Sequence, residues 1–245
     1  MFDADRIARM LLDARTRDSR APDPGASAPT SLAQAYAVQD ALIEQTGEPL
    51  GWKISHSRPG SAHLFEAAPI LAGSVVRSPA KFSLLPDTVV ECEIALIVGC
   101  DIAWCDNLTR QDVVDSIAFC HVAAEILAPR WPAGFSTPPL LLLADCASNR
   151  GVVLGEQFDR DRLPEIVRQG GRVAYLSRDE PPKVFRDDPI AMMESLLEAL
   201  HQRQLGLTKG QIVITGAIDY ARASADLFFL ELDTALRAEV QFVAV

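Results

Sequence analysis

Apolar side chains recur at intervals of three and four near the start of the chain, which is the spacing of one face of a helix. The pattern predicts a helix over 3–17 and a second helix that begins after Ser31. Ser31 and Gln34 have the spacing of a capping box, and Gly47 is a typical residue at the end of a helix. Residues 18–30 between the two helices are rich in Pro, Gly and Ser and indicate a loop.

From Gly51 onward the apolar runs become short and are bounded by Gly, Pro or polar residues, as is typical of β-strands. They predict strands over 70–76, 89–99, 165–177 with a turn at Gly170 and Gly171, 212–216, 227–232 and 238–245. Helices are expected over 109–118, capped by Asn107 or Thr109, and over 188–204, with Pro189 in the first turn. The pattern indicates an α+β protein with a helical segment at 1–50 and a β domain at 51–245.

The run at 89–99, VVECEIALIVG, contains two glutamates in otherwise apolar surroundings. Because side chains alternate across a strand, Glu91 and Glu93 lie on the same face, a few ångströms apart. Burial of one unpaired carboxylate is costly, and burial of two that repel each other costs more. The run therefore predicts a compensating positive group on that face. Cys92 faces the other way and is expected in the core rather than as a nucleophile.

A third carboxylate in apolar company, Glu125, follows in CHVAAEIL at 120–127. An all-oxygen, anionic set of ligands favours a hard cation such as Mg²⁺ or Mn²⁺. The residues alone leave an alternative, in which the glutamate pair is a half-exposed strand edge and Glu125 is satisfied by a backbone amide or by Arg130. Lys53, in GWKIS at 51–55, is expected either to handle protons or to form a salt bridge with the glutamates.

Composition excludes several classes of function. The chain has 245 residues, of which 49% are hydrophobic and 23% charged, as is ordinary for a globular protein with a sizeable core. A net charge of −10 without a Lys/Arg run argues against a nucleic-acid surface. No apolar stretch approaches the roughly 20 residues of a membrane span, and the N-terminus lacks the pattern of a signal peptide. Five cysteines without a CxxC motif indicate reduced thiols in a cytoplasmic protein.

Six segments occur in an order that resembles a known family. They are QAYAVQ at 34–39, GWKIS at 51–55, VVECEIALIVG at 89–99, AAEIL at 123–127, LADCASNRGVVLG at 143–155 and LLEALHQRQLGLTKGQIVITGA at 196–217. Together they resemble the 2-keto-4-pentenoate hydratase/4-oxalocrotonate decarboxylase family, within the fumarylacetoacetate hydrolase-like superfamily. The resemblance extends over nearly the full length of the chain.

The resemblance implies an α+β fold whose mixed β-sheet core is of the fumarylacetoacetase C-terminal-domain type. It implies that Glu91, Glu93 and Glu125 bind one Mg²⁺ or Mn²⁺, which a small 2-oxo or 2-hydroxydienoic acid chelates. The implied reaction is addition of water to a 2-hydroxy-2,4-dienoate, giving a 4-hydroxy-2-oxo acid in aromatic-compound degradation. The alternatives are a 4-oxalocrotonate-type decarboxylase on the same site and a non-catalytic partner subunit. A homo-oligomer is also implied, and a complex with a partner hydratase or decarboxylase is an option.

The resemblance also suggests roles for residues around the metal. The expected catalytic residues are Lys53 and Glu66, and the expected substrate-binding residues are Thr215 and Ser148. Each of these has a structural alternative: a surface position for Glu66, a strand end for Thr215 and a helix cap for Ser148. Alternative proton carriers are His56, His63 and His121.

The sequence departs from the family pattern at several places. Ser55 occupies the position of a usual glycine, and Ala128, Pro129 and Arg130 stand where the family commonly has D-S-R. Ala225 replaces the glycine of a G-D pair, and the segment at 236–240 lacks its glycine. These departures affect turns and the pocket rim more than the metal ligands, and they leave the exact reaction open.

Overall fold

The computed structural model describes residues 1–56, 65–175, 180–233 and 235–244, which form six α-helices and twelve β-strands. The helices are α1 (Ala4–Thr16), α2 (Leu32–Thr46), α3 (Arg110–Ser116), α4 (Pro139–Ala144), α5 (Leu163–Gln169) and α6 (Pro189–His201). The strands are β1 (Gly51–His56), β2 (Phe65–Ile70), β3 (Val75–Arg77), β4 (Ala80–Ser83), β5 (Val89–Val98), β6 (Ile117–Leu127), β7 (Asn149–Phe158), β8 (Gly171–Tyr175), β9 (Ile212–Ile214), β10 (Asp219–Arg222), β11 (Leu227–Leu232) and β12 (Leu236–Val243). None of the described helices combines the length and the apolar character needed to cross a membrane.

The strands form two mixed sheets. The larger sheet has eight strands in the order β2-β1-β9-β5-β6-β7-β3, with β10 paired to β5 beside this path. The smaller sheet has the order β4-β12-β11-β8. Strands β1 and β9, β3 and β7, and β4 and β12 run parallel, and the other neighbours are antiparallel. The predicted α+β class with a mixed β-sheet core is therefore confirmed.

One face of the larger sheet packs against the smaller sheet and helix α6. Cys92 and Ile94 of β5 share a fully buried apolar cluster with Phe228 of β11, Val240 of β12 and Met193 of α6. Because side chains alternate along β5, this packing leaves its two glutamates on the opposite face. Cys92 is in the core as predicted, and burial raises the pKa of its thiol well above the ordinary value. Packing of its apolar face thus holds strand β5 in place, and its opposite face carries the two glutamates.

The two N-terminal helices form where the hydrophobic pattern predicts them. The side chain of Ser31 accepts a hydrogen bond from the Gln34 N–H at 3.3 Å, but the Gln34 carboxamide accepts from the Thr30 N–H at 2.8 Å. Only one half of the predicted capping box is therefore formed. Gly47 ends α2 with φ +90, as predicted.

Helices α1, α2 and α4 share a second apolar cluster beside β2. Ile7 of α1, Leu42 of α2 and Leu143 of α4 are fully buried there, together with Trp131. The division of the chain into a 1–50 segment and a 51–245 domain stays a prediction.

Two local expectations were wrong, and two strands were not predicted. Residues 163–169 form α5 rather than a strand, because Pro164 suits a first helical turn and Ile166 is buried on the helix. The strand expected over 70–76 ends at Ile70, and a turn separates it from β3. Helix α3 is capped by Thr109 as expected but ends at Ser116, where β6 begins. Strands β4 and β10 were not predicted, because each has only four residues.

We expect Gly51→Ala to lower the free energy of unfolding by about 3 kcal/mol, the upper end of the usual cost of overpacking. A Cβ at position 51 would lie 2.0 Å from the main-chain oxygen of Ile212, so β1 and β9 would be forced apart. Urea unfolding measures the loss. The control is Gly25→Ala, which meets nothing within 4 Å and should lose only about 1 kcal/mol for its φ of +56. Equal losses in the two variants would contradict the close approach of β1 and β9.

Candidate metal centre

Three glutamates from two neighbouring strands converge on one face of the larger sheet. Glu91 of β5 pairs directly with Glu125 of β6, and Glu93 lies two residues further along β5. One carboxylate oxygen of each lies within 4.8 Å of the others. Glu93 and Glu125 are each only 1% exposed, whereas Glu91 is partly exposed. The structure therefore brings together the three predicted ligands, which we call the glutamate cluster.

Lys53 supplies the positive charge that the buried carboxylates require. It lies on β1, which β9 separates from β5, and its Nζ donates to both carboxylate oxygens of Glu125 at 2.7 and 2.8 Å. The side chain of Asn149, at the start of β7, donates a further hydrogen bond of 2.7 Å to Glu125 Oε1. Arg130, the alternative partner considered for Glu125, instead donates to backbone carbonyls. Glu125 is thus held by one ammonium and one amide.

Glu93 is buried without an ion pair of its own among the described residues. It receives a hydrogen bond of 2.9 Å from the Gly216 N–H, whereas Lys53 is paired with Glu125. Burial, with repulsion from Glu125 and Glu91, raises the pKa of Glu93 well above its ordinary value despite Lys53 and this N–H. Burial lowers the pKa of Lys53, but attraction by the three glutamates outweighs it and the pKa is raised. Lys53 therefore stays protonated, and a bound cation would stabilise the ionised form of Glu93.

The residues present fit a hard divalent cation. All three donors are carboxylate oxygens, which Mg²⁺ and Mn²⁺ prefer, and their spacing allows one ion to contact each of them. Three protein ligands leave coordination positions for other oxygen donors. Glu91, Glu93 and Glu125 could therefore hold one such ion.

The glutamate cluster opens into a cleft with a volume of about 420 Å³. Two polar contacts line the cleft: His56 Nε2 lies 3.0 Å from a carboxylate oxygen of Asp187, and Lys183 forms an ion pair with Asp219 at 2.5 Å. A larger cleft of about 1080 Å³ lies between α5 and the smaller sheet, away from the glutamate cluster. The volume of a cleft therefore does not identify the functional site, whereas the buried carboxylates of the glutamate cluster do.

Of the other predicted site residues Thr215, Glu66 and Ser148, only Thr215 is among the described residues that line the cleft. Thr215 lines the cleft beside Gly216 and is 5% exposed. Glu66 is buried on β2 opposite Ser55, but it is not among the described residues that line the cleft. Ser148 is buried behind Asn149, and its hydroxyl has no hydrogen-bond partner among the described residues. The roles predicted for these three residues stay predictions.

The histidines separate into different surroundings. His56 lines the cleft, whereas His121 has Nδ1 2.8 Å from the Gly155 carbonyl and Nε2 3.2 Å from Arg77. Burial lowers the pKa of His121, so the ring is neutral near pH 7. His63 lies outside the described residues.

Sequence reasoning gave no role to four residues that complete the site. Asn149 belongs to the motif at 143–155, and an amide side chain at the start of an apolar strand is a signal for a buried hydrogen bond such as the one it donates to Glu125. Gly216 binds Glu93 through its backbone, which leaves no side-chain signal. Asp187 and Lys183 belong to a charged loop that only the fold places over the cleft.

The sequence matches no protein-family model and no curated protein sequence. Solved structures are similar to it. One is 4-oxalocrotonate decarboxylase from Pseudomonas putida G7 complexed with magnesium and adipate, at 18% identity and TM-score 0.79, covering 98% of this chain and 97% of that chain. Another is 2-hydroxyhepta-2,4-diene-1,7-dioate isomerase from Mycobacterium marinum, at 12% identity and TM-score 0.54, covering 80% and 76%. A third is fumarylpyruvate hydrolase from Pseudomonas aeruginosa in complex with Mn²⁺ and pyruvate, at 14% identity and TM-score 0.50, covering 79% and 89%.

These likenesses define the fold. The chain has the fold of the fumarylacetoacetate hydrolase-like superfamily. The structural match to the 4-oxalocrotonate decarboxylase extends over nearly the whole length of both chains. The resemblance inferred from the sequence motifs is thus confirmed at the level of the fold.

Proposed function

We propose that this protein is a divalent-metal-dependent enzyme that acts on a small 2-hydroxy-2,4-dienoic acid or its 2-oxo tautomer. The observation that carries the proposal is the glutamate cluster with Lys53, buried at the wall of an open cleft. Glu93 is 1% exposed and has no ion pair among the described residues, and a buried ionised carboxylate is costly unless a cation compensates it. The arrangement therefore favours a bound cation and, through that cation, an anionic substrate.

Glu91, Glu93 and Glu125 hold the ion in this proposal, and Mg²⁺ or Mn²⁺ is the expected metal. Two structural neighbours carry these ions in their complexes, one with adipate and one with pyruvate. When bound, the metal supplies Lewis-acid polarisation of the oxygen at C2 of the substrate. Asn149 and Gly216 keep the carboxylates oriented, because each donates a hydrogen bond to one of them.

Lys53 acts as a fixed positive charge rather than as a base. Its pKa is raised by the glutamates that surround it, so the ammonium persists through neutral pH. An ammonium at this position stabilises the negative charge that develops on the substrate when a proton moves or a carboxylate leaves. Thr215, on the same cleft wall, is the proposed hydroxyl contact to the substrate.

Hydration is the first candidate reaction. In it the dienol is protonated to an α,β-unsaturated ketone, and water then adds at C4, the position conjugated to the C2 carbonyl. This sequence needs a proton carrier next to solvent, and the His56–Asp187 pair on the cleft rim meets that need. Glu66 is the other candidate for the acid/base.

Decarboxylation is the second candidate. The observation that favours it is the likeness to a decarboxylase over nearly the full length of both chains. The same polarised C2 oxygen accepts the electrons that are released as CO₂ leaves. A non-catalytic partner subunit is the remaining alternative, and a homo-oligomer is the expected assembly.

A direct assay tests the proposal. The protein is incubated with 2-hydroxypenta-2,4-dienoate and, separately, with 2-oxohex-3-enedioate, in Mg²⁺, in Mn²⁺ and in EDTA. Metal-dependent addition of water without CO₂ release identifies a hydratase, and metal-dependent CO₂ release identifies a decarboxylase. Turnover that persists in EDTA contradicts the metal-dependent mechanism. Absence of turnover with both substrates contradicts the proposal that the protein is an enzyme of this kind and favours the alternative of a non-catalytic partner subunit.

A further inference from the structure

A second cleft, separate from the glutamate cluster, collects three arginines. It has a volume of about 410 Å³ and lies between the end of α1, the end of α2 and the turn after β2. Arg15, Arg130 and Arg150 line it, and we call it the arginine pocket. Thr16 and Gly73 on its rim are exposed, so the pocket is accessible from solvent.

Arg15 reaches the pocket from α1 with much of its guanidinium unused. Its Nη2 lies 3.2 Å from Asp145 Oδ1 and 3.5 Å from the Asp145 carbonyl. Its Nε is buried and has no hydrogen-bond partner among the described residues. A buried N–H donor without an acceptor is unfavourable, so the described residues leave this edge of Arg15 incompletely satisfied.

Arg130 is also incompletely paired. Its Nη1 donates to the carbonyls of Ala128 at 2.8 Å and Asn149 at 2.9 Å, and its main-chain N–H donates to Asp145. Nη1 is also 3.4 Å from the Ser148 carbonyl, and Nε and Nη2 have no acceptor among the described residues. Only 4% of Arg130 is exposed, and the residue lines the pocket.

Among the described residues the pocket carries an excess of positive charge. Arg150 is paired with Asp18 at 2.9 Å and with Ser83, which leaves Asp145 as the one described carboxylate that contacts both Arg15 and Arg130. Burial and repulsion from Arg15 lower the pKa of Arg130 to about 9, although Asp145 partly offsets them. Arg130 is therefore still cationic at neutral pH.

We propose that the arginine pocket is a binding site for a small oxyanion, either a phosphate or a carboxylate group. A guanidinium offers parallel N–H donors that match two oxygens of such a group, and Arg15 and Arg130 together present more than one unused edge. The bound anion compensates the excess charge and accepts hydrogen bonds from the arginines that line the pocket. This site is independent of the proposed function, because it uses none of the residues of the glutamate cluster.

Calorimetric titration of inorganic phosphate and of acetate tests the proposal. The titration is done in EDTA, because the metal-free glutamate cluster is anionic and repels both probes. We expect at least one probe to bind, and the stronger of the two identifies the oxyanion. Arg15→Gln removes the unused donors and should weaken binding by about tenfold or more.

Two further variants on α1 provide a matched comparison. Thr16→Glu keeps all three arginines but places a carboxylate on the pocket rim, and it should weaken binding by about tenfold or more. Arg17→Gln lowers the net charge by the same amount at a side chain that is 72% exposed and does not line the pocket, and it should leave affinity unchanged. Binding of neither probe by the parent protein overturns the proposal. Equal weakening by Thr16→Glu and Arg17→Gln also overturns it, because the effect would then be one of overall charge.

Discussion

Glu93→Gln is expected to abolish binding of Mn²⁺ and turnover together, while the metal-free protein becomes more stable. The two effects have opposite signs because the charge of Glu93 favours binding of the metal ion but destabilises the fold when no ion is bound. It is 1% exposed and repelled by Glu125 and Glu91, so its ionised form is unfavourable without a cation. Glutamine removes that charge and keeps an oxygen that accepts from the Gly216 N–H.

Calorimetry with Mn²⁺ and thermal unfolding in EDTA measure the two effects of Glu93→Gln. The control is Glu198→Gln on the exposed face of α6, which makes the same chemical change outside the cleft. It should alter neither Mn²⁺ affinity nor the melting temperature. If Glu93→Gln binds Mn²⁺ as tightly as the parent protein, the assignment of Glu93 as a ligand is wrong.

Lys53→Met is expected to destabilise the metal-free protein by about 3–5 kcal/mol, the usual cost of leaving one member of a buried ion pair alone. Glu125 would lose both hydrogen bonds to Nζ and keep only the one from Asn149. The cluster would then hold three carboxylates without a neighbouring ammonium. Turnover should also fall by about 10²–10³, which is typical for loss of one group that stabilises developing negative charge.

Urea unfolding of Lys53→Met in EDTA and in Mn²⁺ separates the structural role of Lys53 from its catalytic role. A bound cation compensates Glu125, so Mn²⁺ should restore much of the lost stability without restoring turnover. Arg110→Met is the control, because its ion pair with Asp188 is exposed at 52% and 48% and should contribute at most about 1 kcal/mol. A loss of stability no larger than in Arg110→Met would show that the buried pair does not hold Glu125.

The two variants change the charge of the cluster in opposite directions. Glu93→Gln removes a negative charge from the cluster, and Lys53→Met removes the ammonium that is paired with Glu125. A site selected for stability alone would avoid the burial of Glu93 beside two other carboxylates. The opposite signs expected in EDTA therefore test the inference that the glutamate cluster is arranged for a cation.

Much of the secondary structure follows from the sequence because it depends on local period. Alternation along β5 placed Glu91 and Glu93 on one face and Cys92 on the other, and the positions of α1, α2 and α6 were predicted. The short elements β4, β10 and α5 were missed, because four to seven residues often contain too few apolar positions to distinguish the two periods.

The sequence by itself determined the chemistry that is available: carboxylates in apolar strands, a lysine in an apolar setting, and motifs in the order of a known fold. Only the tertiary structure decided which groups meet. Lys53 and Glu125 are 72 positions apart, and Arg15 and Asp145 are 130 apart. Their contacts depend on strand order and helix packing, and the local spacing of apolar residues along the sequence does not encode these. The glutamate cluster and a salt bridge from Lys53 could thus be predicted in composition, whereas the choice of Glu125 as the partner of Lys53 and the arginine pocket became visible only in the folded chain.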